Sequence, residues 1–284
     1  MALKEDAARR DATSPAVLPP DLRIRARIIA KAPGVLAGVE LAALVFATFD
    51  RSLRCRRYIH SGAPRSPGKT ILTVEGRARS IFAAERTALN FLMHLSGIAT
   101  LTRAFVDRTR GTRARILDTR KTLPGLRALE KDAVKAGGGE NHRRDLARAI
   151  LIKTNHLRAK GQGRRAKGRT LIETAILQAK RVRPRRFIEV EAANFREFLA
   201  ALRANPDAIL LDNWTLRTIR RAVTLCRGLP FALRPSPLLE VSGGVTLKNV
   251  RAIARTGVDR ISIGRLTHSA PALDCSLLVE KAAH

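Results

Sequence analysis

The stretch Ile209-Leu210-Leu211-Asp212 is a short apolar run that ends on a carboxylate, and the same figure recurs along the second half of the chain. Ile116-Leu117 runs into Asp118, Ile150 to Ile152 into Lys153, and Phe187 to Val190 into Glu191. Leu238 to Val241 then leads to Ser242, and Ile261 to Ile263 to Gly264. Runs of this length bounded by polar or turn residues read as buried strands, and helix-like segments such as Leu171 to Arg181 and Thr246 to Arg255 fill several gaps. Repeated β-α units of this kind build a parallel sheet. A parallel barrel would gather every polar strand end on one face, where barrel folds place their sites. Arg120, Lys121, Lys153, Glu191, Asp212 and a Gly-rich turn then fall together. Six strands are legible, so an incomplete barrel fits the pattern as well as a closed one.

Upstream the texture differs. Ile24 to Ile29 and Thr70 to Val74 are alternating or β-branched runs, separated by turn signals at Pro33-Gly34 and around Pro64, Pro67 and Gly68. They predict a small sheet with Val35 to Phe49 as a helix packed on it. Phe82, Leu89, Leu92 and Met93 share a helical face, and Ile98, Leu101 and Phe105 continue it beyond Gly97. This spacing predicts two helices around Gly97 that link the two regions.

The 284 residues carry a net charge of +30 with 4% aromatic residues. A site for polyanionic small molecules and a basic nucleic-acid face both call for excess cations. Arginine is spread along the whole chain, and one Trp and one Tyr supply little for base stacking, so nucleic acid is the weaker explanation. Cys55, Cys226 and Cys275 are odd in number and scattered, which reads as reduced thiols and neither a disulfide framework nor a zinc site. His60, His94 and His284 show no partner spacing for a metal. The charged start, Met1 to Ser14, has no apolar core of a secretory signal. Val35 to Phe49 is too short for a membrane span and is broken by Glu40. The expectation is a cytoplasmic protein with no membrane segment.

Asp118-Thr119-Arg120-Lys121-Thr122 sets two cations after a strand, able to grip a carboxylate, and is equally read as a solvated loop. Gly137-Gly138-Gly139-Glu140-Asn141-His142-Arg143 places a flexible backbone beside an imidazole and a guanidinium, or is a plain turn. Glu191 and Asp212 can jointly hold a hard cation such as Mg²⁺, although Asp212 before Asn213 is also a turn former. Ser242-Gly243-Gly244, between a strand and a helix starting near Thr246, offers backbone amides to a phosphate, or is a tight turn without a ligand. Gly163 to Thr170 matches the P-loop pattern except that Arg169 replaces the lysine. No apolar strand precedes it, and the basic stretch from Arg158 to Arg169 reads as a solvated loop.

The series Ala84-Glu85-Arg86-Thr87-Ala88-Leu89-Asn90 and His94-Leu95-Ser96-Gly97-Ile98-Ala99-Thr100 resembles quinolinate phosphoribosyltransferases. So do D-T-R-K-T-L-P-G-L-R from Asp118, G-G-G-E-N-H-R from Gly137, I-K-T-N-H from Ile152, E-V-E from Glu189, L-L-D-N from Leu210, S-G-G from Ser242 and G-R-L-T-H-S from Gly264. The likeness covers nearly the whole chain in the family's order, with a fainter opening from Glu5. It implies an N-terminal α+β open-faced sandwich with its linking helix over 1–97 and an incomplete α/β barrel of about seven strands over 98–270. A tail over 271–284 would return to the N-terminal domain.

The implied activity is that of a glycosyltransferase of NAD biosynthesis, joining quinolinate to phosphoribosyl pyrophosphate with Mg²⁺ and releasing pyrophosphate and carbon dioxide to leave nicotinate mononucleotide. By position, Arg120, His142, Arg143 and Lys153 would bind the quinolinate carboxylates, with Arg86 reaching in from the other subunit of a homodimer. Lys121, Glu191 and Asp212 would be the catalytic group, serving phosphoribosyl pyrophosphate, with Glu191 and Asp212 toward the metal. Ser242, Gly243, Gly244, Gly264 and His268 would surround the phosphate end.

The chain departs from the family in four places, one of them the unusually basic loop from Arg158 to Arg169. Thr154 stands where the family usually has aspartate, Asp132 where tyrosine is common, and Arg10 where glycine is usual. Two rivals follow: a diverged phosphoribosyltransferase-like protein of molybdenum transport, and a basic nucleic-acid-binding protein on the same scaffold. Arg120 with the His142-Arg143 pair argues for a dicarboxylate substrate and against the first. Glu191 and Asp212 would repel nucleic-acid phosphates in the absence of a metal, which argues against the second.

Overall fold

The computed structural model describes residues 1–160, 170–228 and 236–282. The first six strands are β1 Arg23–Ala30, β2 Gly34–Val35, β3 Arg54–Arg57, β4 Pro64–Arg65, β5 Thr70–Arg77 and β6 Arg115–Leu117. The rest are β7 Ala149–Ile152, β8 Phe187–Ala192, β9 Ala208–Asp212, β10 Leu238–Ser242, β11 Arg260–Ser262 and β12 Cys275–Ala282. They divide between two compact units, Met1–Arg103 with Thr122–Gly138 and Arg265–His284, and Ala104–Lys121 with Gly139–Gly264. The boundary expected at residue 97 therefore falls inside a helix, and the segment after Arg265 belongs with the first unit.

In the first unit β12-β1-β5-β3 form one sheet, with β1 antiparallel to both β5 and β12. The period of two in β1 buries Ile24, Ala26, Ile28 and Ala30 and leaves Arg23 and Arg25 exposed. One helix, Val39–Phe49, turns Val39, Ala42, Val45 and Phe46 into the same core. A second, Ala78–Thr109, contributes Ile81, Ala84, Ala88 and Leu92. Burying each large side chain stabilises the fold by roughly 1.5–3 kcal/mol before entropy is counted.

Two sequence expectations need correction here. The helix expected from Val35 starts at Val39, because Gly34–Val35 is taken up by pairing with Pro64–Arg65 and Gly38 turns the chain at φ +80°. Gly97 does not break a helix, since Ala78–Thr109 is one helix of 32 residues. Its glycine answers a close approach, as a Cβ there would lie 3.0 Å from Ala272 Cα and closer still to the Pro271 carbonyl oxygen. Neighbours of Gly97 are structural too. Ser96 Oγ accepts the Ala37 N–H at 3.0 Å, and one turn later Thr100 Oγ1 accepts the Val35 N–H at 2.9 Å.

The second unit holds a six-stranded parallel sheet in the order β6-β11-β10-β9-β8-β7. Its six strands coincide with the six apolar runs read from sequence. A parallel bridge between Leu117 and Glu140 adds a rudimentary seventh position beside β6. Helices Thr154–Ala159, Leu171–Ala179, Phe195–Ala204, Leu216–Arg227 and Val250–Ala254 connect the strands, giving an incomplete α/β barrel. Register sets Glu191 beside Leu210, Leu210 beside Glu240, and Asp212 beside Ser242. No helix among the described residues is long and apolar enough to cross a membrane.

Gly163 to Arg169 of the P-loop-like stretch lie outside the described residues, whereas Thr170 is the N-cap of Leu171–Ala179. It forms a capping box, with Thr170 N–H donating to Glu173 Oε2 at 2.7 Å and Glu173 N–H donating to Thr170 Oγ1 at 3.3 Å. Thr170→Ala is expected to cost about 1 kcal/mol in urea unfolding at neutral pH. The Thr170 backbone N–H, opposed by burial and helped by Arg203, holds the Glu173 carboxyl down to about 2 from 4.5. A lowered acid contributes fully above its unfolded value and loses the contribution as pH falls through its folded one. Alanine keeps the backbone donor, so only the part of the wild-type advantage carried by Thr170 Oγ1 donating to Glu173 Oε2 should shrink as pH drops from 4.5 toward about 2.

Candidate active site

At the C-terminal end of β6, Asp118 is fully buried and its Oδ1 accepts the His142 N–H at 2.8 Å. That bond ties the Asp118-Thr119-Arg120-Lys121 segment to the segment carrying His142 and Arg143. Arg120 is half-buried and Lys121 exposed, with Lys121 N–H donating to Thr119 Oγ1 at 3.1 Å. Arg143 is half-buried and donates from Nη1 to the Ala149 carbonyl at 3.0 Å. Burial, then the nearby charge of Arg120, lowers its guanidinium pKa, with Glu189 and Asp145 opposing. Two guanidinium groups so placed repel each other, and negative charge nearby offsets that repulsion.

His142 reaches two acids inside the barrel unit. Its Nε2 lies 2.9 Å from Glu189 Oε2 and 3.5 Å from Glu240 Oε1. Both carboxylates are buried, Glu240 completely, and Glu189 Oε1 lacks a hydrogen-bond partner among the described residues. Burial, then the Glu189 charge, pushes the Glu240 carboxyl up to about 7. His142, Glu189 and Glu240 form the one cluster among the described residues with metal-ligand spacing. Sequence reasoning missed both acids. Glu189 shares a strand face with Glu191 at a spacing of two, and Glu240 interrupts an otherwise apolar run, which are the signals that could have found them.

The other strand ends carry the remaining groups. Lys153 is exposed and precedes the short helix Thr154–Ala159. Thr154 Oγ1 donates to Glu191 Oε1 at 2.6 Å. Asp212 Oδ2 accepts from the Asn213 side-chain amide at 3.0 Å. Glu191 and Asp212 make no ion pair among the described residues, although the chain carries a net charge of +30. Both are half-buried carboxylates on adjacent strands, and carboxylate oxygens are the donors that a hard divalent ion takes.

Ser242 Oγ donates to the Ser262 carbonyl at 3.5 Å, and Gly243 and Gly244 follow at φ +86° and +60°. At Gly243 any Cβ would collide with the Asn213 side chain, whereas Gly244 opens to free space. The helix expected near Thr246 begins at Val250. Thr246 and Asn249 bond each other in the intervening turn, Thr246 N–H to Asn249 Oδ1 at 2.8 Å and Asn249 N–H to Thr246 Oγ1 at 3.3 Å. A phosphate here would meet turn amides and no helix terminus. Gly264 is half-buried just after β11.

Arg86 and His268 lie in the first unit. Arg86 is exposed on Ala78–Thr109, and exposed His268 ends Arg265–His268, with Nδ1 2.6 Å from Ser269 Oγ. His94, unpartnered in the sequence reading, sits 2.9 Å from buried Glu130. The three cysteines are free, and burial pushes each thiol up to about 11.

Known proteins place this arrangement. Residues 11–96 match the family described as quinolinate phosphoribosyl transferase, N-terminal domain, and residues 98–278 match its C-terminal domain. The chain is 41% identical over 269 residues to the nicotinate-nucleotide pyrophosphorylase (carboxylating) of Mycobacterium leprae, covering 94% of this chain and 90% of that protein. It is 38% identical over 278 residues to a probable nicotinate-nucleotide pyrophosphorylase (carboxylating) of Methanothermobacter thermautotrophicus, covering 97% and 95%. The solved nicotinate-nucleotide pyrophosphorylase of Ehrlichia chaffeensis matches with a TM-score of 0.88 at 36% identity, over 98% of this chain and 96% of that one. The chain belongs to the quinolinate phosphoribosyltransferase family.

Proposed function

We propose that this protein joins quinolinate to phosphoribosyl pyrophosphate, giving nicotinate mononucleotide, carbon dioxide and pyrophosphate for NAD synthesis in the cytoplasm. The observation that carries the reading is the juxtaposition of Arg120 and Arg143, with Glu191 and Asp212 at other strand ends of the same sheet. Quinolinate is a dianion and its co-substrate a polyanion. A cationic pocket must offset their repulsion before the pyridine nitrogen can reach the ribose carbon. Arg120, Arg143 and Lys153 would hold the two carboxylates, and Lys121 would meet the incoming pyrophosphate group. Turn amides at Ser242 to Gly244 and at Gly264 would take the phosphate end.

The nitrogen attacks the anomeric carbon as pyrophosphate departs with the bonding electrons. Positive charge developing on the sugar is stabilised by Glu191 and Asp212. The carboxylate beside the quaternary nitrogen then leaves as carbon dioxide, and the electron pair left on the ring carbon takes up a proton. Glu191 and Asp212 would hold Mg²⁺, which supplies charge neutralisation to the pyrophosphate. Nicotinic acid, lacking both the second anchor and the leaving carboxylate, should be a poor substrate. The test is product formation from quinolinate with phosphoribosyl pyrophosphate and Mg²⁺, beside nicotinic acid under the same conditions. No nicotinate mononucleotide, or equal turnover of nicotinic acid, would sink the reading.

Thr154 gives a further expected outcome. Its hydroxyl sits on Glu191 Oε1, so Thr154→Asp places a second carboxylate against the first. Half-saturating Mg²⁺ should fall, and added Mg²⁺ should raise the melting temperature of the variant more than that of the wild type, by relieving like-charge repulsion. An unchanged Mg²⁺ requirement together with an unchanged thermal response would place the ion elsewhere.

A further inference from the structure

We infer that Asn213 is a positioning residue for phosphoribosyl pyrophosphate, whose side-chain amide aims the Asp212 carboxylate and packs the turn at 242–244 against it. The inference deepens the reading of the barrel as a phosphoribosyl pyrophosphate site and rests on it.

The backbone singles this residue out. Among the described residues the non-glycine positions at positive φ are Ala7, Asn205 and Asn213. Asn205 closes the helix Phe195–Ala204 and Ala7 precedes the short helix Ala8–Arg10, so both answer to a helix end. Asn213, at φ +58°, directly follows strand β9. Glycine takes such a backbone without steric cost, and asparagine tolerates it better than most residues do. An asparagine where glycine is the easier choice points to a task for its side chain.

That side chain joins two strand ends. Its amide nitrogen donates to Asp212 Oδ2 at 3.0 Å. An ionised carboxylate only accepts, so the nitrogen faces Asp212 and the amide oxygen turns toward Gly243. A Cβ on Gly243 would collide with that oxygen and lie 2.5 Å from Asn213 Cγ. Register sets Asp212 beside Ser242, and the Asn213 N–H donates to the Ser242 carbonyl at 2.9 Å. The segment is held on its other side as well, where Trp214 Nε1 donates to the Ala192 carbonyl at 2.9 Å. Neither of these two anchors uses the Asn213 side chain. What the amide adds is direction: with Oδ2 held, the plane of the Asp212 carboxylate is fixed relative to the turn that would take the phosphate end. One side chain thereby sets two groups that would meet the same substrate.

The test compares Asn213→Gly with Asn213→Asp at saturating Mg²⁺. Glycine keeps the backbone conformation and its N–H and removes the amide. The KM for phosphoribosyl pyrophosphate should rise by about tenfold or more, the size of effect seen when an orienting partner is lost. The KM for quinolinate should stay within about twofold of wild type. Aspartate keeps the shape and tolerates the same φ, yet it sets an acceptor against an acceptor. It should therefore lose at least as much as glycine, whereas a side chain needed only for packing would make aspartate the milder change. Unchanged phosphoribosyl pyrophosphate kinetics in the glycine variant, equal loss for both substrates, or an aspartate variant as good as wild type would each overturn the inference.

Should Asn213→Gly fail to fold, the aspartate variant decides alone by the same split between the two substrates. Calorimetric titration with phosphoribosyl pyrophosphate separates this inference from the reading beneath it. If the wild type binds that ligand and does not convert quinolinate, the functional reading fails, and tenfold weaker binding by the variants still supports the role of Asn213. A wild type that binds no phosphoribosyl pyrophosphate overturns both.

Discussion

Arg143→Ala is expected to lower kcat/KM for quinolinate by roughly 10²-fold or more, in the range that removing one half of a desolvated charge pair produces. The residue is half-buried and braced by the Ala149 carbonyl, with its pKa lowered by burial and then by Arg120. A carboxylate bound beside the two guanidinium groups would offset their mutual repulsion. Arg143→Lys should recover a minor part, since a single ammonium restores charge without bidentate geometry. The affinity for phosphoribosyl pyrophosphate should change much less. A loss under about threefold in steady-state assays would remove Arg143 from the quinolinate grip.

Mixing two inactive proteins is expected to restore activity. Arg86 is exposed on Ala78–Thr109, among the buried motif residues Ala84 and Thr87. We propose, as the family resemblance implies, that it reaches the site of a neighbouring subunit in a two-fold dimer. Homodimers of Arg86→Ala and of Lys121→Ala should each be nearly inactive, the first for a lost carboxylate clamp and the second for a lost pocket cation. In a heterodimer one site lacks both residues and the other keeps both, so activity should return to about half the wild-type level per heterodimer. If mass measurements prove subunit exchange and activity stays at the level of the separate variants, Arg86 does not act across an interface.

The barrel half was legible because each buried parallel strand announces itself twice, as an apolar run and as a polar residue at its end. All six runs from Ile116 to Ile263 became strands of one sheet. Local reasoning failed where a residue answers to distant chain. Gly97 read as a break, and it is a close approach to Pro271 and Ala272, far along the sequence. Val35 read as helix, and it is a strand residue whose backbone is held by Thr100. Glu189 and Glu240 went unseen as site residues because burial hides acids inside apolar runs, and their meaning depends on His142, which arrives from another segment. Thr154 was flagged only as a departure from the family, and its bond to Glu191 supplies the physical content.

The central claim concerns one bond made and one broken in the same turnover. With quinolinate labelled in the carboxylate beside the ring nitrogen, the protein, phosphoribosyl pyrophosphate and Mg²⁺ should release labelled carbon dioxide, nicotinate mononucleotide and pyrophosphate in equal amounts, and no label should stay in the nucleotide. Label retained in the nucleotide product, or pyrophosphate released without carbon dioxide, would contradict the account.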